Sequence, residues 1–344
     1  MATAADHFVA FGKEGAGTFG TLATPTRALP FVDGTEGDFD VQWREGKGVA
    51  GGNGRRAQVA SRAFITTGQG TVKTRIELES RAVGYVLDLA IGVTQGPTVI
   101  TGGSQMNFHP GIANMILPSA SIQIQKVRND GTPFVETYRG CTASKVTIEQ
   151  PEDDIPFLDI EWDALAVSTA TGAIAPTYVL TDVLFDAIQA TTFYGGAFTA
   201  PTTTVAASVA TASTVWRSFK VEIDQKVDTS GGAILTATIP RSQPKVGTPE
   251  IKVSGVVEFN DAVIAANYLA GTKAPFLCTW TTTEVLGAGF SQLQLAIPSL
   301  ALTKGLPQVK PGDAPTTFPI EGKVFNDGTN RDLYVVLRTL DTVL

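Results

Sequence analysis

A glycine-rich string near the start of the chain matches the fingerprint of dinucleotide-binding proteins. It reads Gly15-Ala16-Gly17-Thr18-Phe19-Gly20. The fingerprint binds a pyrophosphate only when a strand precedes it and the N-terminus of a helix follows it. The flanking residues predict neither element, because the next segment contains Pro25 and has no helical periodicity. We therefore expect an extended arm at this position rather than a nucleotide site.

A second glycine-rich stretch carries cations and could cradle a phosphate through its backbone N–H groups. It includes Gly46, Lys47, Gly52, Gly54 and Arg55. The stretch lacks the Lys-Ser or Lys-Thr ending of the phosphate-binding loop of nucleotide hydrolases. We interpret it as a surface loop that is either free or docked on an acidic neighbouring subunit.

Residues that could support metal or nucleophilic chemistry are few. His7 and His109 are the only 2 histidines, and neither has a second ligand at metal-binding spacing. Cys141 and Cys278 indicate small buried side chains rather than a disulfide framework. A glycosidase-type pair of carboxylates stays open, because the separation of two acids in space does not follow from the sequence. The prediction is that the protein is not an enzyme and holds no metal and no cofactor.

Charge and hydropathy narrow the function classes further. The 344 residues carry a formal net charge of -7, which argues against tight binding of nucleic acid phosphates. The start of the chain lacks the basic residues and the apolar stretch of a signal peptide. No run of about 20 apolar residues predicts a membrane-spanning helix. We expect a protein that is made in the cytoplasm and does not insert into a membrane.

The element that recurs in the sequence is a short strand with one apolar and one charged face. Such period-two alternation is typical of a half-buried strand. In the clearest example Val72, Thr74, Ile76 and Leu78 alternate with Lys73, Arg75, Glu77 and Glu79. A second example alternates Ile251, Val253, Val257 and Phe259 with Lys252, Ser254 and Glu258.

Helices and tight turns have their own signals. Short helices are predicted at residues 81–91 and 261–270, because each apolar segment ends at a glycine. Asn129-Asp130-Gly131 and Asn326-Asp327-Gly328 predict β-hairpin turns, since these residues tolerate positive φ.

Part of this pattern occurs twice. Residues 62–92 and 241–271 align without a gap at a single offset of 179 residues. Each copy begins with an arginine, continues through a glycine turn and a strand-like run, and ends at a glycine. The acid they share is Glu79 in the first copy and Glu258 in the second. Repetition within one chain predicts an architecture of repeated units.

The patterns together predict a mainly β fold. We expect two β-sandwich or small-barrel domains, each with one short flanking helix, related by internal duplication. An N-terminal arm would cover residues 1–30 and the first domain residues 31–167. A linker rich in Ala, Thr and Gly would cover residues 168–180, and the second domain residues 181–344.

Three stretches share the motifs of one known family. The N-terminal arm carries Gly12-Lys13-Glu14, Thr18-Phe19-Gly20-Thr21, Thr24-Pro25-Thr26-Arg27 and Leu29-Pro30-Phe31. The second stretch is Tyr138-Arg139-Gly140-Cys141 followed by Lys145-Val146-Thr147-Ile148. The third is Phe219-Lys220-Val221-Glu222-Ile223-Asp224 with Gly255-Val256-Val257-Glu258-Phe259. Together they resemble the major tail tube protein of long, non-contractile-tailed bacteriophages. The resemblance implies a structural virion protein that self-assembles into stacked rings, the hollow conduit for genome delivery into the host.

The resemblance also implies partners. Rings of this family are typically six-fold, so a chain with two tube-like domains would form a trimeric ring with pseudo-six-fold symmetry. The other implied partners are the tape measure protein, the tail terminator and tip proteins, and viral DNA that passes through the lumen without specific binding.

Glu77, Glu79 and Glu258 are the candidate lumen-facing acids. An acidic lining would repel DNA phosphates and let the genome slide. The alternative is that these strand faces point outward into solvent. Lys73 and Lys252 lie on the same faces, so a lumen position requires acids that offset them.

Candidate inter-subunit or inter-ring loops are the glycine-rich stretch with Gly46, Lys47, Gly52, Gly54 and Arg55, and the uncharged segment with Gly195 and Thr203. The competing interpretation is a carbohydrate-binding or adhesin-type β-sandwich. Such a module stacks sugars on exposed aromatic side chains, and Trp43, Trp162, Trp216 and Trp280 do not cluster in the sequence.

Overall fold

The chain folds into a mainly β structure, as the alternating pattern predicted. In this computed structural model, the described residues are 7–45, 63–111, 116–176, 178, 181–209, 212–213, 215–228, 243–259, 263–307 and 316–342. They contain 22 strands and two α-helices.

The strands of the N-terminal half are β1 (Phe8–Lys13), β2 (Arg27–Leu29), β3 (Glu36–Glu45), β4 (Ala63–Glu77), β5 (Val93–Ile100), β6 (Gly103–Phe108), β7 (Ala120–Val127), β8 (Pro133–Gln150), β9 (Phe157–Ala164) and β10 (Ala166–Ser168). Those of the C-terminal half are β11 (Ala190–Tyr194), β12 (Phe198–Thr199), β13 (Ala207–Ser208), β14 (Ala212–Ser213), β15 (Trp216–Asp224), β16 (Val227–Asp228), β17 (Lys245–Val246), β18 (Glu250–Glu258), β19 (Lys273–Leu286), β20 (Gly289–Lys304), β21 (Thr317–Val324) and β22 (Tyr334–Thr339). Helix α1 is Val83–Ala90 and helix α2 is Val263–Ala270.

The predicted alternation is present in β4 and in β18. Val72 and Ile76 are buried in β4, whereas Lys73 and Arg75 are not. In β18 the apolar face holds Ile251, Val253 and Val257. Phe259 departs from the expected pattern, because it lies just beyond the end of β18 and is 45% exposed.

The strands of the N-terminal half pair in one antiparallel series. β2 pairs with β1, β1 with β7, and β7 with the N-terminal part of β8. β10 pairs with the other edge of that part of β8. The C-terminal part of β8 pairs with β9, β9 with β4, and β4 with β3. The 18 residues of β8 therefore serve two groups of strands.

The C-terminal half contains a series with the same order. β14 pairs with β11, β11 with β19, and β19 with β20. β22 and β21 pair with successive parts of the other edge of β20. β21 then pairs with β18, and β18 with β15. In this series β20 has the place that β8 has in the first.

One pairing joins the two series. Residues 219–224 of β15 lie antiparallel to residues 145–150 of β8, from Phe219 opposite Gln150 to Asp224 opposite Lys145. The strands β3, β4, β9, β8, β15, β18, β21 and β20 therefore follow one another across a single sheet. We call this sheet the long sheet.

A hairpin of the N-terminal half belongs to the sheet of the other half. β5 and β6 follow α1 and pair with each other, and β6 pairs with β22. This hairpin has no counterpart in the second series, where α2 leads directly into β19. It ties the two halves together at a second place.

Both helices lie within their predicted positions. α1 ends before Gly92 and α2 before Gly271, and each glycine has the positive φ that a helix stop requires. Asp261, the first residue of the second predicted helix, lies outside the described residues.

Only one of the two predicted hairpin turns joins paired strands. Asn129-Asp130-Gly131 connects β7 and β8, which pair with each other. Asn326-Asp327-Gly328 connects β21 and β22, and these two strands do not form a hairpin. Both pair with β20 instead, at residues 300–304 and 292–296 respectively. Gly328 has the expected positive φ, but the chain here leads from one part of the β20 edge to the next instead of forming a hairpin.

Aromatic side chains fill the space between the two groups of strands in each half. The rings of Phe11 in β1 and Trp162 in β9 lie 6.2 Å apart. In the other half the rings of Phe276 in β19 and Trp216 in β15 lie 4.5 Å apart. Each half is therefore a two-layered β arrangement with an aromatic centre.

A buried glutamine connects these two cores. Gln150 ends β8, is 4% exposed and accepts a 2.7 Å hydrogen bond from Trp280 Nε1 of the C-terminal half. Its Nε2 donates to the carbonyl oxygens of Pro151 and Asp154 at 2.7 and 2.8 Å. If Gln150 is replaced, Trp280 Nε1 and the carbonyl oxygens of Pro151 and Asp154 all lose their hydrogen-bond partner.

Replacing Gln150 should therefore destabilise the chain. Gln150→Leu leaves one buried donor and two carbonyls unsatisfied, so the free energy of unfolding should fall by about 2–4 kcal/mol. Urea unfolding measures the change. Gln292→Leu is the control, because that half-buried residue makes one 3.2 Å bond to Thr281 Oγ1, and it should cost under about 1 kcal/mol. Equal stability of Gln150→Leu and wild type would contradict the proposed link.

Candidate functional site on the charged face of the long sheet

The dinucleotide-like string serves a structural role. A strand does precede it, contrary to our expectation, because β1 ends at Lys13. No helix follows, since residues 21–26 are irregular and lead into β2. The carboxylate of Glu14 accepts hydrogen bonds from the backbone N–H groups of Gly20 and Gly140, both at 2.8 Å. The string thus folds around a buried acid of its own chain and lacks the helix that a pyrophosphate needs.

In the described parts of the chain, the side chains that could bind a metal ion do not cluster. No cluster of three or more His, Cys, Asp or Glu residues in the described ranges could hold a metal ion. Burial lowers the pKa of His109, whose Nδ1 lies 3.0 Å from the carbonyl oxygen of Pro110. Cys141 and Cys278 are buried and form no disulfide, and burial raises the pKa of Cys278.

The most distinctive surface is the side of the long sheet that faces away from the core. Gly37 of β3 lies against the buried ring of Tyr138, so its neighbours Glu36 and Asp38 point the other way. The same alternation continues across the sheet. The outward ionisable residues are Glu36, Asp38, Asp40, Lys73, Arg75, Glu77, Lys145, Glu149, Asp159, Glu161, Lys220, Glu222, Asp224, Glu250, Lys252, Glu258, Lys304, Glu321 and Lys323. We call this surface the charged face.

Acids outnumber bases on the charged face, and several of the bases lie beside acids. Lys73 stands opposite Glu36 on β3 and Glu161 on β9. Its Nζ lies 2.9 Å from Glu36, and this hydrogen bond raises the pKa of Lys73. In the other series, Lys252 Nζ lies 3.3 Å from Glu250. Both lysines on which the lumen hypothesis depended are thus offset by acids of the same chain.

An ion pair crosses the junction between the two series. Lys145 of β8 and Glu222 of β15 lie 2.9 Å apart, and their hydrogen bond raises the pKa of Lys145. Arg75 lies 3.7 Å from Asp159 and 4.4 Å from the centre of the Phe157 ring. Such half-exposed pairs are screened by salt and contribute little to stability. Their effect is to offset the charge of the paired cations locally.

Two of the three predicted acids lie on the charged face. Glu77 is the last residue of β4 and is half-buried. Glu258 is the last residue of β18 and is paired with Arg217, which also reaches Glu152 at 2.6 Å. The sequence pattern thus located these two strand ends correctly on the face opposite the core.

Glu79 was predicted on the charged strand face, but the structure places it in the interior. Glu79 lies beyond the end of β4 and is 2% exposed. Burial raises its pKa to about 10, and a hydrogen bond with Asp182 and the nearby charges of Asp182, Asp341 and Glu77 add to the shift. A neutral, buried carboxyl cannot contribute charge to an exposed face. The alternation failed here because the strand ended two residues earlier than the pattern implied.

The predicted contact loops are only partly described. Gly46, Lys47, Gly52, Gly54 and Arg55 lie outside the described residues. Thr203 lies in the connection between β12 and β13, where Arg338 Nη2 donates to its carbonyl oxygen at 3.2 Å. Gly195 follows β11, and its carbonyl oxygen accepts a 2.7 Å bond from Ser208.

The sequence pattern did not identify several acids of the charged face. Glu36, Glu222 and Glu250 offset lysines, yet none was singled out. Glu222 alternates with the buried Val221 and Ile223 of β15, which was a usable signal. Glu36 and Glu250 are the first residues of their strands, and no pattern at a strand start reveals which lysine lies across the sheet.

Indole rings offer little surface for sugar stacking. Trp162 and Trp280 are fully buried, and their Nε1 groups bond to Thr74 and Gln150. Trp216 packs on Phe276, and the side chain of Trp43 is outside the described part of the structure.

Comparison with known proteins gives one match. The sequence model of a protein family described as phage tail tube protein matches residues 4–323. No curated protein matches the chain. In the described residues, no helix is long and apolar enough to cross a membrane.

The buried carboxyl of Glu79 predicts a pH-dependent stability. The unfolded chain releases this proton near the ordinary pKa of 4.5, but the folded chain holds it up to a pKa of about 10. The free energy of unfolding of the wild type should therefore fall as pH rises between these values. Glu79→Gln keeps a neutral side chain in both states, so denaturant unfolding at pH 5 and pH 8 should give a smaller fall.

The exposed Glu321→Gln serves as the control and should keep the wild-type pH dependence. Identical pH dependence of Glu79→Gln and wild type would show that Glu79 is ionised in the folded chain.

Proposed function

This chain belongs to the phage tail tube protein family, and on that premise we propose that its copies assemble into rings that stack into the hollow tube of a phage tail. The protein is a structural component of the virion. The proposed tube is the conduit through which the genome reaches the host. No enzymatic step is part of this role.

The junction between β8 and β15 is the observation that carries the proposal. It joins the edge of one series to the edge of the next by a backbone pairing of six residues on each strand. Among the described strands at the far ends of the long sheet, β3 pairs only with β4, and residues 317–320 of β21 pair only with β18. A sheet edge of this kind accepts another strand. We propose that β3 of a second copy joins the β20–β21 end as β15 joins β8.

We propose that the chain contains two tube-like domains related by duplication. The matched order of strand pairings supports this, as do two helices of eight residues at corresponding places. The boundaries expected from the sequence remain the proposed ones: domains over 31–167 and 181–344, a linker over 168–180, and an arm over residues 1–30 that packs on the first domain through β1 and β2. The linker falls between β10 and β11.

Three chains would then close one ring of six domains. The partners we propose are further copies of the chain, the tape measure protein, the tail terminator and tip proteins, and viral DNA that passes without specific binding. Gly195 and Thr203 remain candidates for contacts between rings.

We propose that the charged face lines the lumen. Acids exceed bases there, and acids hold Lys73, Lys145 and Lys252 in ion pairs. DNA would therefore meet few free cations on which to release counterions, so it would slide rather than bind. Glu77 and Glu258 are retained as lumen-facing acids, and Glu79 is not.

The number of chains in one ring tests the proposed trimer. Electron microscopy of concentrated protein should show hollow tubes whose rings contain three chains in pseudo-six-fold arrangement. Averaged cross-sections and the mass of a solubilised ring both measure this number. Six intact chains in a strict six-fold ring would exclude the two-domain proposal, and the absence of rings or tubes would oppose the assembly proposal itself.

Charge reversal tests the lumen. Phages that carry Glu77→Lys and Glu258→Lys should build tubes of normal length but eject DNA more slowly, because the new cations attract phosphates. The delay should shrink as salt increases. Fluorescence of DNA released from virions measures the ejection rate. The control is Asp130→Lys in the turn between β7 and β8, which should eject at the wild-type rate. Unchanged ejection in the double variant would place these acids outside the lumen.

A further inference from the structure

The two helices have the same place in their series but differ in exposure. All eight residues of α1 are buried. In α2 only Ile264 is buried, and the side chain of Leu269 is 71% exposed. An apolar residue at that exposure is common when it is isolated, so its surroundings decide its meaning.

α1 packs on β8 and β6, and the C-terminal half contacts both of its ends. Arg81, just before the helix, lies 2.7 Å from Glu284 of β19. Asp341, which follows β22, accepts a 2.6 Å hydrogen bond from the backbone N–H of Ala82. At the other end Gln225 Nε2 donates to the carbonyl oxygen of Ala90 at 3.1 Å. The second series thus contacts both ends of the helix of the first.

The contact of Gln225 with α1 depends on the pairing of β15 with β8 in the long sheet. Gln225 directly follows β15 and is fully buried. Pairing of β15 with β8 therefore brings Gln225 onto α1. In the same way, a strand added at the β20–β21 end would bring the half that carries it towards α2, which packs beside β20.

Other apolar side chains are exposed around α2. Phe259 precedes the helix, and Leu306 follows Gly305, which lies against Tyr268. Phe325 is 42% exposed and lies under Lys273, whose Nζ is 4.8 Å from the ring centre. We group these side chains with Leu269, because each lies on α2 or close to it in the chain or in the sheet beside it, and call the group the α2 patch. Grouped exposed apolar residues of this kind mark an interaction site.

We propose that the α2 patch is the docking site for the N-terminal half of a second copy of this chain. The occupant follows from the internal example, because the half that supplies the added strand β15 also contacts both ends of the helix. The inference rests on the proposed ring, and it adds a second contact to the strand pairing at each boundary between chains. It predicts that α2 becomes as buried as α1 in the assembled ring.

A charged residue in the α2 patch tests the proposal. Leu269→Lys should leave the monomer folded, because a cation near a helix C-terminus is favourable. It should raise the protein concentration needed for tube formation by about tenfold or more, since a buried anchor of an interface is lost. Ile188→Lys is the matched control, because Ile188 is 87% exposed and lies outside the patch. Circular dichroism checks the fold, and sedimentation measures assembly.

Cross-linking identifies the occupant. A photoreactive amino acid at position 269 should form cross-links in wild-type-like tubes to residues 1–168 of a neighbouring chain. Tubes mixed from unlabelled and ¹⁵N-labelled protein distinguish links between chains from links within one chain by mass spectrometry. Links within one chain, or links to the C-terminal half of a neighbour, would overturn the inference.

The two proposals fail differently. If the wild type forms no rings or tubes, the proposed function fails. If the wild type assembles and Leu269→Lys assembles equally well, the function stands and the α2 patch is not an interface between chains.

Discussion

The antiparallel pairing of β15 with β8 is the interaction on which the rest of the structure depends. An edge strand exposes unpaired backbone N–H and C=O groups, and the simplest way to satisfy them is another strand. Here the partner comes from the other half of the same chain, so two strand series share one sheet. Because that pairing fixes where β15 ends, it also fixes Gln225 over α1 and brings Trp280 to Gln150.

Two long strands make this arrangement possible. β8 has 18 residues and β20 has 16, so each can serve one group of strands with its first part and another with its second. The aromatic centre of each half then fills the space between the two groups. The β5–β6 hairpin adds a further tie, since it leaves the N-terminal half and pairs with β22. Relative motion of the halves would therefore break backbone pairings at two places.

The charged face follows from the same sheet geometry. Alternate residues of every strand point away from the core, and neighbouring strands bring acids beside bases. Lys145 and Glu222 come from different halves, and they meet only because β8 and β15 are paired. A surface that is rich in charge but poor in free cations is suited to contact with a polyanion that must not be held. Because acids of the same chain pair with lysines of the charged face, this face can carry lysines and still be acidic overall.

The sequence by itself determined the strand alternation, the mainly β class, the positions of both helices and the twofold pattern. These properties depend on residues within a few positions of one another, such as Val72, Lys73 and Gly92. Only the tertiary structure decided which strands are neighbours, because pairing depends on contacts between distant residues. It placed Glu79 in the interior, separated the partners of the turn at Asn326, and gave Lys73 and Lys252 the partners Glu36 and Glu250. It also decided that α1 is buried and α2 exposed, because two helices of similar apolar composition differ in which other residues pack on them.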